Sequence, residues 1–313
     1  MAELDLLRSL PFETADPSAE ARARARERLL RRIDRAPAPT RDRRTVLLVA
    51  VGLVTAAAIA TFLGVGTHGG SSASAAPFLR KIATTARAQP PSKPLGRGQF
   101  AYTKELVAWM SGGDGWNALS PGMRESWYGR THAHFHDRWG KPKFPSPADR
   151  AGWIAAGRPQ VNPPQDSADF PVTPRAALPT DPDALYDRIH HDVVGHGNGT
   201  LSEMFTIVAD NLRDPVPSPS LRAALYEVAA RIPGVELIGP AKDRLGRRGV
   251  AVAYVDGKIH ERHVVIFDPH TAAMLGEEYV QLDGNPYHYP AGTVTGYSTY
   301  VVSGVVDRIG ERP

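Results

Sequence analysis

Residues 249–282 read GVAVAYVDGKIHERHVVIFDPHTAAMLGEEYVQL, and this stretch gives the strongest indication of the fold class. It holds three short, largely apolar segments that are separated by the turn dipeptides Asp256-Gly257 and Asp268-Pro269. Apolar residues with a period of two are typical of half-buried strands, and Asp, Gly and Pro favour tight connections between such strands. The sequence therefore predicts a meander of antiparallel strands at Gly249–Val255, Arg262–Asp268 and Ala273–Leu282.

Helices are predicted before this meander and a further strand after it. Thr180 is predicted to cap the first helix, and the apolar spacing of Leu201–Leu212 and Leu221–Arg231 predicts two more. A short strand is expected at Val235–Ile238 and a long one at Val294–Asp307. Since helices and antiparallel strands occupy separate stretches of the chain, the fold class is predicted to be α+β.

The sheet is expected to continue in the N-terminal half of the same domain. Gln99–Met110 predicts a strand, Gly112–Gly115 a turn, and Arg124–Arg138 the antiparallel partner strand. Residues 140–177 form a long proline-rich insertion in which Ser146–Ala156 predicts a short helix with Ser146 as its cap. Insertions of this length are often functional or disordered.

An uncharged apolar run indicates a membrane anchor. Thr45–Gly66 (TVLLVAVGLVTAAAIATFLGVG) has 22 residues, and about 20 helical residues cross a bilayer core. Arg41–Arg44 precedes the run and no charge follows it until Arg80, which predicts a cytoplasmic N-terminus. A secretory signal cleaved near Ala73–Ala75 and a twin-arginine signal at Arg43-Arg44 are alternatives. A retained span is preferred, because the run and the segment before it are long.

The chain is accordingly divided into four parts, with the large domain outside a cell membrane. These are a cytoplasmic tail at 1–44, a transmembrane helix at 45–66, a linker with a short helix at 67–96, and an extracytoplasmic domain at 97–313. The absence of cysteine excludes disulfides, cysteine–zinc sites and thiolate catalysis. Of the net charge of +4, the tail carries +3, so the outer domain is nearly neutral and a nucleic-acid partner is not expected.

The tail itself predicts one amphipathic helix. Asp16 can cap it, its Arg- and Ala-rich body runs to about Arg35, and Pro37 ends it. Its small apolar face leaves two interpretations open. The helix orders on a cytoplasmic partner, or it rests against anionic lipid headgroups.

Six segments of the sequence are informative when taken together, namely Leu6–Leu10, Leu178–Pro182, Leu221–Tyr226, Ile232–Val235, Gly246–Val252 and Ile266–Pro269. Together they resemble an uncharacterised family of single-pass membrane proteins of high-GC Gram-positive bacteria. Genes of this family commonly lie beside those of extracytoplasmic-function sigma factors. The resemblance implies an anti-sigma-like regulatory role with a sigma factor as cytoplasmic partner, and it implies no catalytic residues. A looser analogy, at the level of the fold, is to curved-sheet periplasmic domains that bind lipid or lipoprotein.

Histidines provide the candidate chemistry. His132, His134 and His136 alternate along a predicted strand, so their imidazoles face one side and could bind Zn or Cu, while Asp137 faces away. A second, weaker cluster comprises three further histidines: His190, His191 and His196. The sequence contains none of the local motifs of zinc proteases, serine hydrolases or P-loop proteins, so we expect no enzyme and no cofactor.

Two functions remain open at this point. The first is a membrane-anchored sensor or regulatory protein whose outer domain binds a ligand or envelope protein and whose tail acts on a sigma factor. The second is an anchored binding or carrier domain for a lipid-like ligand, without a cytoplasmic partner. Replacing the tail at 1–44 discriminates between them.

Overall fold

The computed structural model describes residues 73–91, 95–162, 165–166, 170–171, 177–213 and 217–313. The predicted tail helix and the predicted span at 45–66 lie outside these residues. Among the helices that are described, none is long and apolar enough to cross a membrane.

The described residues form one antiparallel sheet of eleven strands. The order across the sheet is β1-β7-β8-β9-β10-β11-β2-β3-β4-β5, and β6 also pairs with β4. The long final strand β11 therefore lies in the middle of the sheet, between the C-terminal meander and the N-terminal strands. The strands are β1 Ala73–Ser74, β2 Phe100–Gly113, β3 Trp116–Tyr128, β4 His132–Trp139, β5 Gln165–Asp166, β6 Phe170–Pro171, β7 Glu236–Lys242, β8 Arg248–Asp256, β9 Glu261–Phe267, β10 Met274–Gln281 and β11 Val294–Val306.

Five helices complete the described fold and confirm the predicted α+β class with an antiparallel sheet. Four of them pack together with strands β8–β10, and α2 contacts β3. The helices are α1 Ala76–Arg87, α2 Pro147–Ala155, α3 Pro182–Val193, α4 Thr200–Leu212 and α5 Pro219–Ala229.

The main core lies between this helix layer and one face of the sheet. Strand alternation sends Val265 and Phe267 of β9 into this core, whereas Val264 and Ile266 belong to a smaller apolar cluster. Each of the helices α1, α3, α4 and α5 supplies at least one fully buried side chain, namely Leu79, Leu185, Met204 and Leu225. Burying a side chain of this size contributes about 1.5–3 kcal/mol, so the layer holds the domain together without disulfides.

Helix α1 is an integral part of this core. Its residues Leu79 and Ile82 are buried against the other helices, and β1 directly before it pairs with β7. Residues 73–87 are therefore packed together with the other described helices and with the sheet.

The N-terminal sheet differs from the predicted pattern at one place. The segment Arg124–Arg138 was predicted as a single strand, but it contains the end of β3, a turn at 129–131 and most of β4. The sequence did not predict the first half of β3 as a strand, because Pro121 and Gly122 are both unfavourable in strands. The β2–β3 turn is the two-residue loop Asp114-Gly115, in which Gly115 takes a φ of +79°.

The cap of helix α3 is a second correction. Thr180 was predicted to cap it, but the Asp181 carboxylate accepts hydrogen bonds from the amides of Asp183 and Ala184. A carboxylate at this position also interacts favourably with the positive end of the helix dipole. The predicted cap of α2 is confirmed, since the Ser146 hydroxyl accepts from the Asp149 amide.

Candidate functional site

A cavity of about 230 Å³ lies between the first half of α4 and strands β8, β9 and β10. Aromatic rings from the helix and the sheet form part of its wall, and polar side chains form the rest. The lining residues are Asn198, Ser202, Glu203, Phe205, Thr206, Tyr254, Asp256, Ile259, Glu261, His263 and Tyr279.

The helix side of the cavity is fixed by the way α4 begins. Gly199 precedes the helix with a φ of +138°, a conformation that only glycine adopts readily. The carboxylate of Glu203 accepts a hydrogen bond from the Asn198 amide at 2.9 Å, which ties the first helical turn to the loop before it. This bond fixes the position of the Glu203 carboxylate at the cavity wall.

Asp256 joins the helix to the β8–β9 hairpin. Its carboxylate accepts from the amides of Lys258 and Ile259 in the turn, and from the hydroxyl of Ser202 on α4 at 2.7 Å. An Asp that bonds the backbone two residues ahead stabilises a tight turn. The same residue therefore shapes the turn and holds α4 against the sheet.

A buried group of charges lies beneath the cavity. The Glu277 side chain is fully buried, and Nε2 of His263 lies 2.8 Å from its Oε2. On the other side, Arg213 at the end of α4 places Nη2 2.9 Å from the same oxygen and Nε 2.7 Å from Oε1. The hydroxyl of Tyr279 accepts from Arg213 at 3.2 Å, and its ring stacks on His263.

In this group, the effect of burial on each pKa is opposed by the effect of neighbouring charges. Burial alone would raise the pKa of Glu277, but the His263 hydrogen bond and the Arg213 charge hold it below its ordinary value. Burial is the largest single effect on Arg213 and would lower its pKa, but Glu277 and the other groups around the guanidinium together outweigh burial and raise the pKa. Breaking a buried ion pair by removing one partner costs about 3–5 kcal/mol, so the group also locks α4 to β10.

Glu261 is a half-buried carboxylate on the cavity wall. Gln281 and Thr295 both donate hydrogen bonds to its Oε2. Burial raises the pKa of Glu261 above its ordinary value, although these two hydrogen bonds lower it in part. Oε1 has no hydrogen-bond partner within the described part of the chain.

Further charges continue across the sheet from this group. Strand pairing places Glu105 of β2 opposite Tyr300 on one side and Arg124 on the other, and Arg124 opposite Asp137 of β4. Arg124 binds Asp137 through two bonds of 2.8 Å, and the Asp137 bond is the main cause of the raised pKa of Arg124. Burial raises the pKa of Glu105 to about 7, although Arg124 and Arg213 pull it down.

The cavity wall combines several kinds of group that can contact a ligand. The Ser202 hydroxyl donates to Asp256, and His263 bonds Glu277, so the hydroxyl and the imidazole belong to separate hydrogen-bond groups. The wall also carries carboxylates and aromatic rings.

The predicted metal ligands His132, His134 and His136 do lie on one strand, β4, with alternate side chains on one face. His136 accepts from Nε of Arg138 at 2.9 Å, and His132 contacts the Thr131 hydroxyl at 2.9 Å. Neighbouring imidazoles on such a face start about 6.6 Å apart. Within the described ranges, no three His, Asp or Glu side chains are gathered closely enough to hold a metal ion. The metal site therefore stays a prediction.

Two carboxylates near these histidines are already bonded to other side chains. Asp137 faces the opposite side and binds Arg124, as the alternation predicted. Glu125 of β3 lies directly across from His136, but its carboxylate is bonded by Tyr102 and Arg312. The bond to Arg312 is the main reason why the pKa of Glu125 falls to about 2.

The second histidine cluster is spread over the surface of α3 and the loop that follows. His190 stacks on Tyr186, with 6.2 Å between ring centroids, and His191 lies 3.5 Å from Asp192. His196 is exposed in the loop before α4. These side chains have separate neighbours.

Sequence reasoning missed the cavity because its residues come from distant parts of the chain. Ser202 and Asp256 are 54 positions apart, and Arg213 and Glu277 are 64 positions apart. One local signal was present. Charged and polar residues alternate within a predicted strand at Glu277, Tyr279 and Gln281, which places them on one buried face.

No protein-family model and no curated protein matches this sequence. Among solved structures, the chain is similar to the crystal structure of MucB in complex with MucA(peri). The identity is 12%, the match covers 76% of this chain and 57% of the matched chain, and the TM-score is 0.27. A Pseudomonas aeruginosa MucA/MucB complex matches at 12% identity over 77% of this chain and 59% of the matched chain, with a TM-score of 0.24. The similarity thus spans less than two thirds of either matched chain, and TM-scores this low do not establish a shared fold.

Proposed function

We propose that this chain is a membrane-anchored regulatory protein whose extracytoplasmic domain binds a ligand and whose cytoplasmic tail acts on a sigma factor. The observation that carries the binding role is the cavity at α4, with its buried charge group beneath. Burying a charged side chain costs desolvation free energy. Clusters of ionisable groups with perturbed pKa values beside a cleft are typical of functional sites.

The regulatory role follows from how the cavity is built. One side of it is helix α4, and the other is the sheet. Arg213, at the end of that helix, is paired with Glu277 of β10. A ligand that alters this contact changes how α4 sits on the sheet, and a ligand can shift an equilibrium only through such differential contacts.

The membrane anchor and the partner are supported by the sequence. The run at 45–66 and the basic residues before it support a single span with the tail inside. The resemblance to single-pass proteins encoded beside sigma factors supports the partner. MucB was solved in complex with MucA. We do not base the partner of this chain on that similarity, and the proposal rests on the sequence segments that carry the family resemblance.

The topology has a direct test, because the chain contains no cysteine. A single Cys is introduced at Asp283, an exposed loop position, or at Ser9 in the tail. In intact cells a membrane-impermeant maleimide should label Asp283→Cys and leave Ser9→Cys unlabelled until the cells are permeabilised. Equal labelling of both variants in intact cells would refute the topology.

The partner is tested by purifying the full-length protein from its own cells and identifying any sigma factor that co-purifies with it. Residues 1–44 are replaced by an unrelated basic tail in one variant, and residues 16–35 are deleted in another. We expect both changes to abolish co-purification. If no sigma factor co-purifies with the protein that carries its native tail, the alternative of an anchored carrier domain for a lipid-like ligand replaces this proposal.

A further inference from the structure

We propose that the cavity at α4 binds a small protonated primary amine, an alkylammonium ion. This inference rests on the proposed function only in taking the cavity as the ligand site. It adds the chemical class of the ligand.

The charge around the cavity selects a cation. Three carboxylates line it, from Glu203, Asp256 and Glu261, and no Lys or Arg is among the lining residues. The guanidinium of Arg213, in the buried charge group, is paired with Glu277. A concave site lined by one sign of charge concentrates ions of the opposite sign.

The aromatic side chains select an organic cation. Phe205 stacks on Tyr254 with 5.8 Å between ring centroids, and Tyr279 stacks on His263 at 4.3 Å. The face of an aromatic ring attracts a cation within about 6 Å of its centroid and also accepts alkyl groups. A metal ion would gain little from such walls, and the described residues contain no three ligands gathered for one.

Two polar atoms at the cavity lack a hydrogen-bond partner among the described residues, which favours a ligand that donates hydrogen bonds. Oε1 of Glu261 has no partner among the described residues. His263 is 6% exposed, it lines the cavity, and its Nδ1 is buried without a hydrogen-bond partner in the described part of the structure. Because Nε2 of His263 faces the Glu277 carboxylate, Nδ1 is the ring nitrogen that is left for a ligand.

Size limits the ligand further. A cavity of about 230 Å³ is below the usual 300–1,000 Å³ range of sites for drug-sized molecules. An alkyl chain of a few carbons with one ammonium group fits this volume, with the ammonium beside Glu261 and the chain against Tyr254. A long lipid tail does not fit.

The test is calorimetric titration of the full-length protein with n-butylammonium chloride. The protein is held in a maltoside detergent, which carries no ammonium group, and sodium chloride is matched throughout. Butan-1-ol and sodium butyrate serve as neutral and anionic probes of the same length. We expect a dissociation constant on the order of millimolar for butylammonium and at least 10-fold weaker binding of the other two probes.

Variants assign the binding to this cavity. Glu261→Gln keeps the size of the side chain and should weaken butylammonium binding about 10-fold or more. Asp187→Asn removes an exposed carboxylate of α3 outside the cavity and should leave binding unchanged. Tyr254→Leu should weaken binding about 3-fold, whereas Tyr254→Phe, which keeps the ring, should not. Thermal unfolding of each variant establishes that it is folded.

Two outcomes would overturn the inference. One is equal binding of butan-1-ol and butylammonium. The other is unchanged butylammonium binding by the folded Glu261→Gln and Tyr254→Leu variants. Absence of butylammonium binding also refutes it, but sigma-factor recruitment through the tail would then still support the proposed function. Conversely, amine binding without recruitment would leave this inference standing and refute the regulatory proposal.

Discussion

Replacing Arg213 by Met should destabilise the domain chiefly through the charge left on Glu277. The Glu277 side chain has no exposed surface, and Arg213 is its cationic partner at 2.7 Å. Removing one member of a buried ion pair costs about 3–5 kcal/mol. We expect about 3 kcal/mol, at the lower end, because the Arg213 side chain is 29% exposed and His263 still bonds Glu277.

The loss should depend on pH with a definite sign. In the native protein the pKa of Glu277 is below its ordinary value, so this carboxylate stabilises the fold above the unfolded-state pKa, and the stabilisation is lost as the pH falls. Without Arg213, burial raises the pKa of Glu277. The folded variant is then penalised above the unfolded-state pKa, so the difference from the native protein should be larger at pH 8 than at pH 4.

Urea unfolding of the full-length protein, followed by tryptophan fluorescence, measures this difference. All five tryptophans lie between residues 109 and 153, so the signal reports on the sheet domain. Asp210→Asn is the matched control, because it removes the other, more exposed ion pair of Arg213, at 3.0 Å, and should cost less than about 1 kcal/mol. Adding Glu277→Gln to Arg213→Met should recover part of the loss. Equal losses at pH 4 and pH 8, or no recovery in the double variant, would show that Arg213 acts through packing.

Three further predictions concern other parts of the domain. Asp181→Ala should lower the free energy of urea unfolding by about 1 kcal/mol, whereas Thr180→Ala should have almost no effect; the reverse order would restore Thr180 as the cap. The pKa of Glu105 is raised from 4.5 to about 7, so the free energy of unfolding should fall as the pH rises from 4.5 to 7. This fall should be absent in Glu105→Gln. Parallel pH profiles of the two proteins would contradict the prediction. If the β4 histidines bind Zn or Cu, the metal should co-purify and be lost in the triple alanine variant. Metal-free protein after purification in metal-supplemented buffer would end that prediction.

The sequence was sufficient for the elements with strong local signals. The meander at 249–282 was predicted within about one residue at each end, since alternation and turn dipeptides act over short distances. Helix α2 was predicted with its cap for the same reason. The division of 124–138 into two strands was missed, because the turn at 129–131 has only Gly129 as a marker and polar residues lie on both sides.

The candidate site could not be predicted in the same way. It depends on which strand lies beneath α4, and the pairing order of a sheet is a property of the whole chain. The histidines at 132, 134 and 136 were conspicuous because they are close in sequence. The cavity residues Ser202, Asp256 and His263 come together only after α4 packs on β8 and β9.

The edges of the sheet limit how this protein can associate. Within the described residues, strand β1 covers two residues of β7, and β7 then carries an irregularity before Gly239. Pro240 follows and has no amide hydrogen to donate. At the far edge of the described sheet, β5 and β6 cover β4 with two residues each. Bulges, prolines and very short edge strands are features that prevent strand addition and edge-to-edge aggregation. A protein partner would therefore recognise a face, a helix or a loop of this domain, and concentrated protein should resist assembly into extended sheets.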